Sequence, residues 1–152
     1  MITKSFRVTF LAIGIAGSAF AQIENPVKWH FSAQKKGARV YELNFTPEVS
    51  QQWHIYSQSS APDGPSPTTI RLDSNPLVLA DSSVSEHGTV VSKYEDLLGL
   101  TVKYFKGPVN FVQTVRVKAK AKTKVTGTVE YMACKEEQCL PPQKINFSIM
   151  LE

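Results

Sequence analysis

Cys134 and Cys139 are the only cysteines of the 152-residue sequence, with four residues between them in Tyr131-Met-Ala-Cys134-Lys-Glu-Glu-Gln-Cys139-Leu-Pro-Pro142. Two thiols at this spacing admit three chemistries: reversible thiol–disulfide exchange, a local structural staple, or soft-ligand metal binding. As a staple the pair is inefficient. On the chain-entropy picture a closed loop of about six residues stabilises by roughly 2 kcal/mol, against about 4.7 kcal/mol for a 100-residue loop. A short exposed loop is also within reach of an attacking thiolate, and strain there makes the bond easier to reduce. As ligands, Cys134 and Cys139 with Met132 would suit Cu(I). They match no closed four-ligand zinc pattern, and His30, His54 and His87 are all remote in sequence. The expectation is a site without metal or cofactor. Within the loop Glu136 and Glu137 oppose thiolate formation while Lys135 favours it, and no helix N-terminus is evident to depress a thiol pKa. That balance suits exchange inside a partner complex better than indiscriminate nucleophilic attack.

The compartment follows from the other end of the chain. Lys4 and Arg7 form a basic start, Val8–Ala16 an apolar core, and Ala19-Phe20-Ala21 a small-x-small cleavage site, the three parts of a secretory signal. Residues 1–21 are read as a cleaved signal peptide and 22–152 as one mature domain. The apolar run is too short to span a bilayer, and no later segment is apolar enough to insert. Exported thiols mature where disulfides persist. The net charge of +4, half of it from Lys4 and Arg7, is too small to imply nucleic acid or an anionic membrane as partner. The basic run Arg116–Lys124 reads as the polar side of a strand and the turn after it.

The elements that must position the cysteines show a period of two, the mark of half-buried strands. Tyr41, Leu43 and Phe45 alternate with polar neighbours; so do Val109, Phe111, Val115 and Val117; Val125, Val129 and Tyr131; and Ile145, Phe147, Ile149 and Leu151. Shorter candidates are Val27–Phe31, Trp53–Ser57, Thr69–Leu72, Leu77–Ala80 and Thr101–Phe105. Turn residues punctuate them at Lys36-Gly37, Asp63-Gly64-Pro65, Asn75-Pro76, Gly107-Pro108 and Gly127. Many short strands without a sustained helical period predict an all-β fold, an immunoglobulin-like β-sandwich at this length. The Ser- and Pro-rich stretch Ser57–Pro67 reads as an exposed loop.

Val129-Glu-Tyr-Met-Ala-Cys134 followed by Cys139-Leu-Pro-Pro142 and an alternating terminal strand resembles the N-terminal periplasmic domain of the thiol:disulfide interchange protein DsbD, a family also called disulfide bond corrector. Trp53-His-Ile-Tyr56, Gly64-Pro65-Ser-Pro67-Thr68 and Lys93-Tyr-Glu-Asp-Leu-Leu-Gly99 extend the likeness across Val27 to Leu151. The resemblance implies an immunoglobulin-like sandwich and a protein-disulfide reductase role, relaying electrons in the periplasm. Reducing equivalents would arrive from a thioredoxin-like domain served by a separately encoded membrane component. They would leave to disulfide isomerases or cytochrome c maturation thioredoxins.

The resemblance makes Cys134 and Cys139 the redox pair, with Cys139 linking to the partner and Cys134 resolving. It also implies a cap loop over the disulfide, here Tyr94, Glu95, Asp96, Leu97 and Leu98, with Leu97 where well-known members carry an aromatic. Tyr56, and with it Trp53, would line the site, although as core aromatics they would look the same in sequence. Four residues between the cysteines, one fewer than in the best-studied form, tighten the ring. A rival from another class remains open at this point, a secreted binding module on the same fold with a structural disulfide, because fold does not fix function.

Overall fold

The structure, a computed structural model, describes residues 25–120, 122–136 and 138–152. The export signal expected over 1–21 and the contribution of Glu137 lie outside the described residues. Among the described residues thirteen strands run in chain order: β1 (Val27–Gly37), β2 (Val40–Val49), β3 (His54–Tyr56), β4 (Thr69–Leu72), β5 (Val78–Ala80), β6 (Ser85–Gly88), β7 (Val91–Glu95), β8 (Leu100–Phe105), β9 (Val109–Val117), β10 (Thr123–Tyr131), β11 (Ala133–Lys135), β12 (Gln138–Cys139) and β13 (Gln143–Leu151). The described residues contain no helix, and the expected all-β sandwich forms.

Alternation decides which faces meet. β2, β9 and β10 bury every second residue, as a strand with one face on a core must. One sheet has the order β1-β2-β9-β5, with β6 also paired to β9; the second has the order β13-β10-β4. Between them lie Leu43, Phe45, Phe111 and Val115 from the first sheet, and Val129, Phe147, Ile149 and Leu151 from the second. Phe147 reaches across to Phe45 and Phe31, with ring centroids 5.0 and 5.2 Å apart. Each such side chain removed from water contributes about 1.5–3 kcal/mol. Gly127, central in β10, faces the Arg71 carbonyl and the Phe147 ring so closely that no Cβ fits there.

The third sheet carries the cysteines. Its order is β12-β11-β3-β8-β7. β10 delivers the chain to it directly: after Tyr131, Met132 interrupts the ladder and β11 begins at Ala133. Ile55, Phe105 and Ala133 join the main core. Tyr56, Val102, Tyr104 and Cys134 form a separate, smaller cluster, flanked by Val91, Leu100 and Met132.

The loop expected to be exposed over Ser57–Pro67 is partly anchored instead. Ser57 is fully buried and Ser60 nearly so. The Glu86 carboxylate accepts from the Ser57 hydroxyl and the Gln58 amide, both at 2.7 Å. The Lys103 amide donates to Ser60 Oγ at 3.2 Å, and Thr68 Oγ1 donates to the Tyr56 carbonyl at 2.6 Å. Ser57, Ser60 and Thr68, polar by type, here bond to Glu86 and to the backbone of β3 and β8 rather than meet solvent.

Candidate active site

β11 and β12 form a hairpin in which Cys134 and Cys139 are directly opposed and Lys135 faces Gln138. A disulfide joins the two cysteines, with Cα atoms 4.1 Å apart. Glu136 begins the turn with φ of 48°, in the left-handed region that tight hairpin turns use. Beyond the bond the Leu140 amide donates to the Ala133 carbonyl at 3.0 Å. Pro141 and Pro142 then offer no N–H, so the pairing ends and β12 stays a two-residue edge strand.

The two sulfurs live in different surroundings. Cys134 is 1% exposed, while Cys139 lies exposed at the rim of the sheet. Register explains the asymmetry, because β11 is flanked by β3 and β12 whereas β12 has a neighbour on one side alone. Of the two residues Cys139 is therefore the more open to solvent.

His54 pairs with Cys134 across β3 and β11, and Tyr56 pairs with Tyr104 across β3 and β8. On β7, Lys93 and Glu95 oppose Val102 and Leu100 and form an ion pair at 2.9 Å. Gln52, His54, Tyr56, Lys93, Glu95, Tyr104, Lys106 and Glu136 line a cleft of about 300 Å³. His54 Nε2 lies 3.3 Å from the Tyr56 hydroxyl, and its ring centroid is 4.5 Å from that of Tyr104. Burial, then the Lys106 charge, pushes the His54 pKa down to about 4; Glu95 pulls the other way and Lys93 adds to the lowering. Burial, with Glu95 second, raises the Tyr56 pKa, so both groups are neutral near pH 7. Among the described residues no three His, Cys, Asp or Glu side chains gather as a metal site.

The residues singled out from sequence fall into two groups. Tyr56 packs with Cys134, and Glu95 reaches the cleft. Trp53 is 4% exposed in the main core, with Lys135 Nζ 4.9 Å from its ring centroid. Tyr94, Asp96, Leu97 and Leu98 are exposed. Leu97 is 99% exposed, so this side chain covers no neighbour. The reason is local: the Leu98 and Gly99 amides both donate to the Glu95 carbonyl, at 3.1 and 2.8 Å, and Gly99 takes φ of 66°. These bonds hold the turn at the end of β7 and β8, with β8 and β3 between it and β11. His54 is the residue that sequence separation concealed. The one signal for it was the alternation in Trp53-His-Ile-Tyr56, which sets His54 and Tyr56 on one face.

A family profile described as "Thiol:disulfide interchange protein DsbD, N-terminal" matches residues 21–150. The chain belongs to this family. The crystal structure of the reduced N-terminal domain of DsbD from Neisseria meningitidis superposes with a TM-score of 0.47 at 17% identity, covering 74% of this chain and 78% of that one. No curated protein sequence matches this chain. Membership of the DsbD N-terminal family, with a cysteine pair at bonding distance, supports thiol–disulfide exchange. DsbD N-terminal domains are periplasmic and exchange with thioredoxin-like partners. Among the described residues no helix is long and apolar enough to cross a membrane.

Proposed function

We propose that this protein is exported to the periplasm by its N-terminal signal and relays electrons there between thioredoxin-like proteins through Cys134 and Cys139. A donor thiolate attacks the Cys139 sulfur, a mixed disulfide forms, and Cys134 leaves as the thiolate. The donor's second thiol then attacks its own bridged sulfur, leaving a dithiol here and a disulfide on the donor. Toward an oxidised isomerase or maturation thioredoxin the steps run in reverse: Cys139 attacks the acceptor disulfide and Cys134 resolves the mixed disulfide. The observation that carries the reading is the contrast between an exposed Cys139 and a Cys134 that is 1% exposed in a DsbD N-terminal chain.

Trapping tests it. Cys134→Ala should accumulate a mixed disulfide between Cys139 and a thioredoxin-like protein, whereas Cys139→Ala should trap none and transfer nothing. A redox titration of the parent should give a midpoint in the thioredoxin-like range. A potential below about −300 mV, where structural disulfides lie, with no trapped partner, would make the bond a staple and return the protein to the class of binding modules.

A further inference from the structure

Thiol–disulfide exchange of this kind requires Cys134 to bear negative charge twice, first as leaving group and later as attacking sulfur. The surroundings of Cys134 do not obviously allow it. Its buried neighbours are Tyr56, Val102 and Tyr104, with Val91, Leu100 and Met132 beside them, and none of these is a cation. An ion enclosed by such side chains is costly unless something hydrogen-bonds it.

His54 is placed to supply that bond. It is the cross-strand partner of Cys134 on β3, a relation that sets Cβ atoms roughly 4.5–5.5 Å apart on one face of the sheet. It is 9% exposed, so water competes little for its ring. The Tyr56 hydroxyl lies 3.3 Å from Nε2. The phenol stays protonated because burial raises its pKa, and the tautomer in which it donates to Nε2 is the one that carries the imidazole proton on Nδ1. No other hydrogen bond to the ring is formed among the described residues.

We infer that His54 donates its free N–H to the Cys134 sulfur once the disulfide opens, and that this bond lets the enclosed sulfur exist as a thiolate. The inference rests on the exchange reading above. When a partner thiolate bonds to Cys139, the Cys134–Cys139 bond breaks and its electron pair passes to Cys134, where His54 receives it as hydrogen-bond donor. On the return step Cys134 attacks the Cys139 sulfur, the disulfide re-forms, and the electron pair leaves with the partner's sulfur. A neutral imidazole suffices, since the proton is shared and not given up. The charged groups facing His54 are Lys93, Glu95 and Lys106 from β7 and the end of β8, and Glu136 from the hairpin turn; Gln52, Tyr56 and Tyr104 complete the lining. Burial and Lys106 keep the ring neutral, so it is a donor to anions without attracting them in the oxidised state.

The test uses the single-thiol Cys139→Ala protein and reads the pKa of Cys134 from thiolate ultraviolet absorbance against pH, with and without a second substitution. His54→Phe, which fills the aromatic site without an N–H, should raise that pKa by about one unit, a tenfold loss of thiolate at a given pH below it. His54→Gln, whose side-chain amide also donates, should restore most of the loss. In the two-cysteine protein His54→Phe should slow release of the partner from Cys139 by about threefold, because the rarer thiolate of higher pKa is also the better nucleophile. Equal pKa values in the three proteins, with unchanged circular dichroism, would overturn the inference. If His54→Phe does not fold, Tyr56→Phe removes only the hydroxyl that fixes the ring's proton, and the same comparison decides the question. The pKa reading needs no partner, so it stands or falls apart from the exchange reading, which fails instead if the parent exchanges with no thioredoxin-like protein.

Discussion

Reducing the disulfide should leave the protein folded and only modestly less stable. The bond closes a sequence separation of 5, for which the chain-entropy relation gives about 2 kcal/mol at 25 °C. Nothing in the main core depends on it, since that core is built from β1, β2, β9, β10 and β13 with Ile55, Phe105 and Ala133 beneath the third sheet. Cys134 belongs to the smaller cluster. By the thermodynamic cycle linking bond formation to folding, the same 2 kcal/mol lowers the potential of the folded pair by only about 45 mV relative to the unfolded chain, at about 30 mV per 1.4 kcal/mol. The assay is equilibrium urea unfolding of the oxidised and fully reduced proteins, followed by tryptophan fluorescence and circular dichroism. The two curves should share one slope and differ by about 2 kcal/mol, equivalent to roughly 5–12 °C in melting temperature for a domain of this size. A difference above about 4 kcal/mol, or loss of near-ultraviolet dichroism on reduction, would refute the reasoning and make the bond a structural necessity.

Stability should also fall with acid through His54. Its folded pKa of about 4 lies below the ordinary 6.5, so the stability gained by keeping the ring neutral is fully present above about pH 6.5 and is lost as pH falls toward 4. Linkage puts the loss from pH 7 to pH 5 at about 2 kcal/mol. His54→Phe should flatten that part of the unfolding profile, and identical slopes in the two proteins would contradict the assignment. Gly127→Ala forces a Cβ against the Arg71 carbonyl and the Phe147 ring and should cost about 1–3 kcal/mol in chemical unfolding. Phe45→Ala empties a site that is 0% exposed and should cost about 3–5 kcal/mol, read the same way. Leu97→Ser, at a side chain 99% exposed, should change stability by less than about 0.5 kcal/mol.

The sandwich was legible because its strands are long and one-sided. Leu43 and Phe45, Phe111 and Val115, and Val129 and Phe147 all lie in the core that alternation predicted. Thr69–Leu72 was bounded correctly even as a short strand. β6 and β7 escaped notice, because Ser85–Gly88 and Val91–Glu95 carry almost no buried side chain and owe their form to pairing with β9 and β8. Gln113 occupies an inward position between Phe111 and Val115, held by its amide donating to the Ser82 carbonyl at 3.0 Å; a polar residue there breaks the apolar pattern. The cysteine pair stood out as a motif, but the contrast between its two sulfurs did not, since it depends on which strand lies at the edge. The partnership of His54 with Cys134 is a register fact between distant segments, and no local period encodes register.

The smaller cluster of Tyr56, Val102, Tyr104 and Cys134 stands apart from the large one between the sheets. Substitutions that alter how readily the sulfurs trade electrons can therefore accumulate in the small cluster while the large one keeps the chain folded. The thermodynamic poise of the bond and the integrity of its scaffold become separately adjustable traits, and a lineage can retune one without endangering the other.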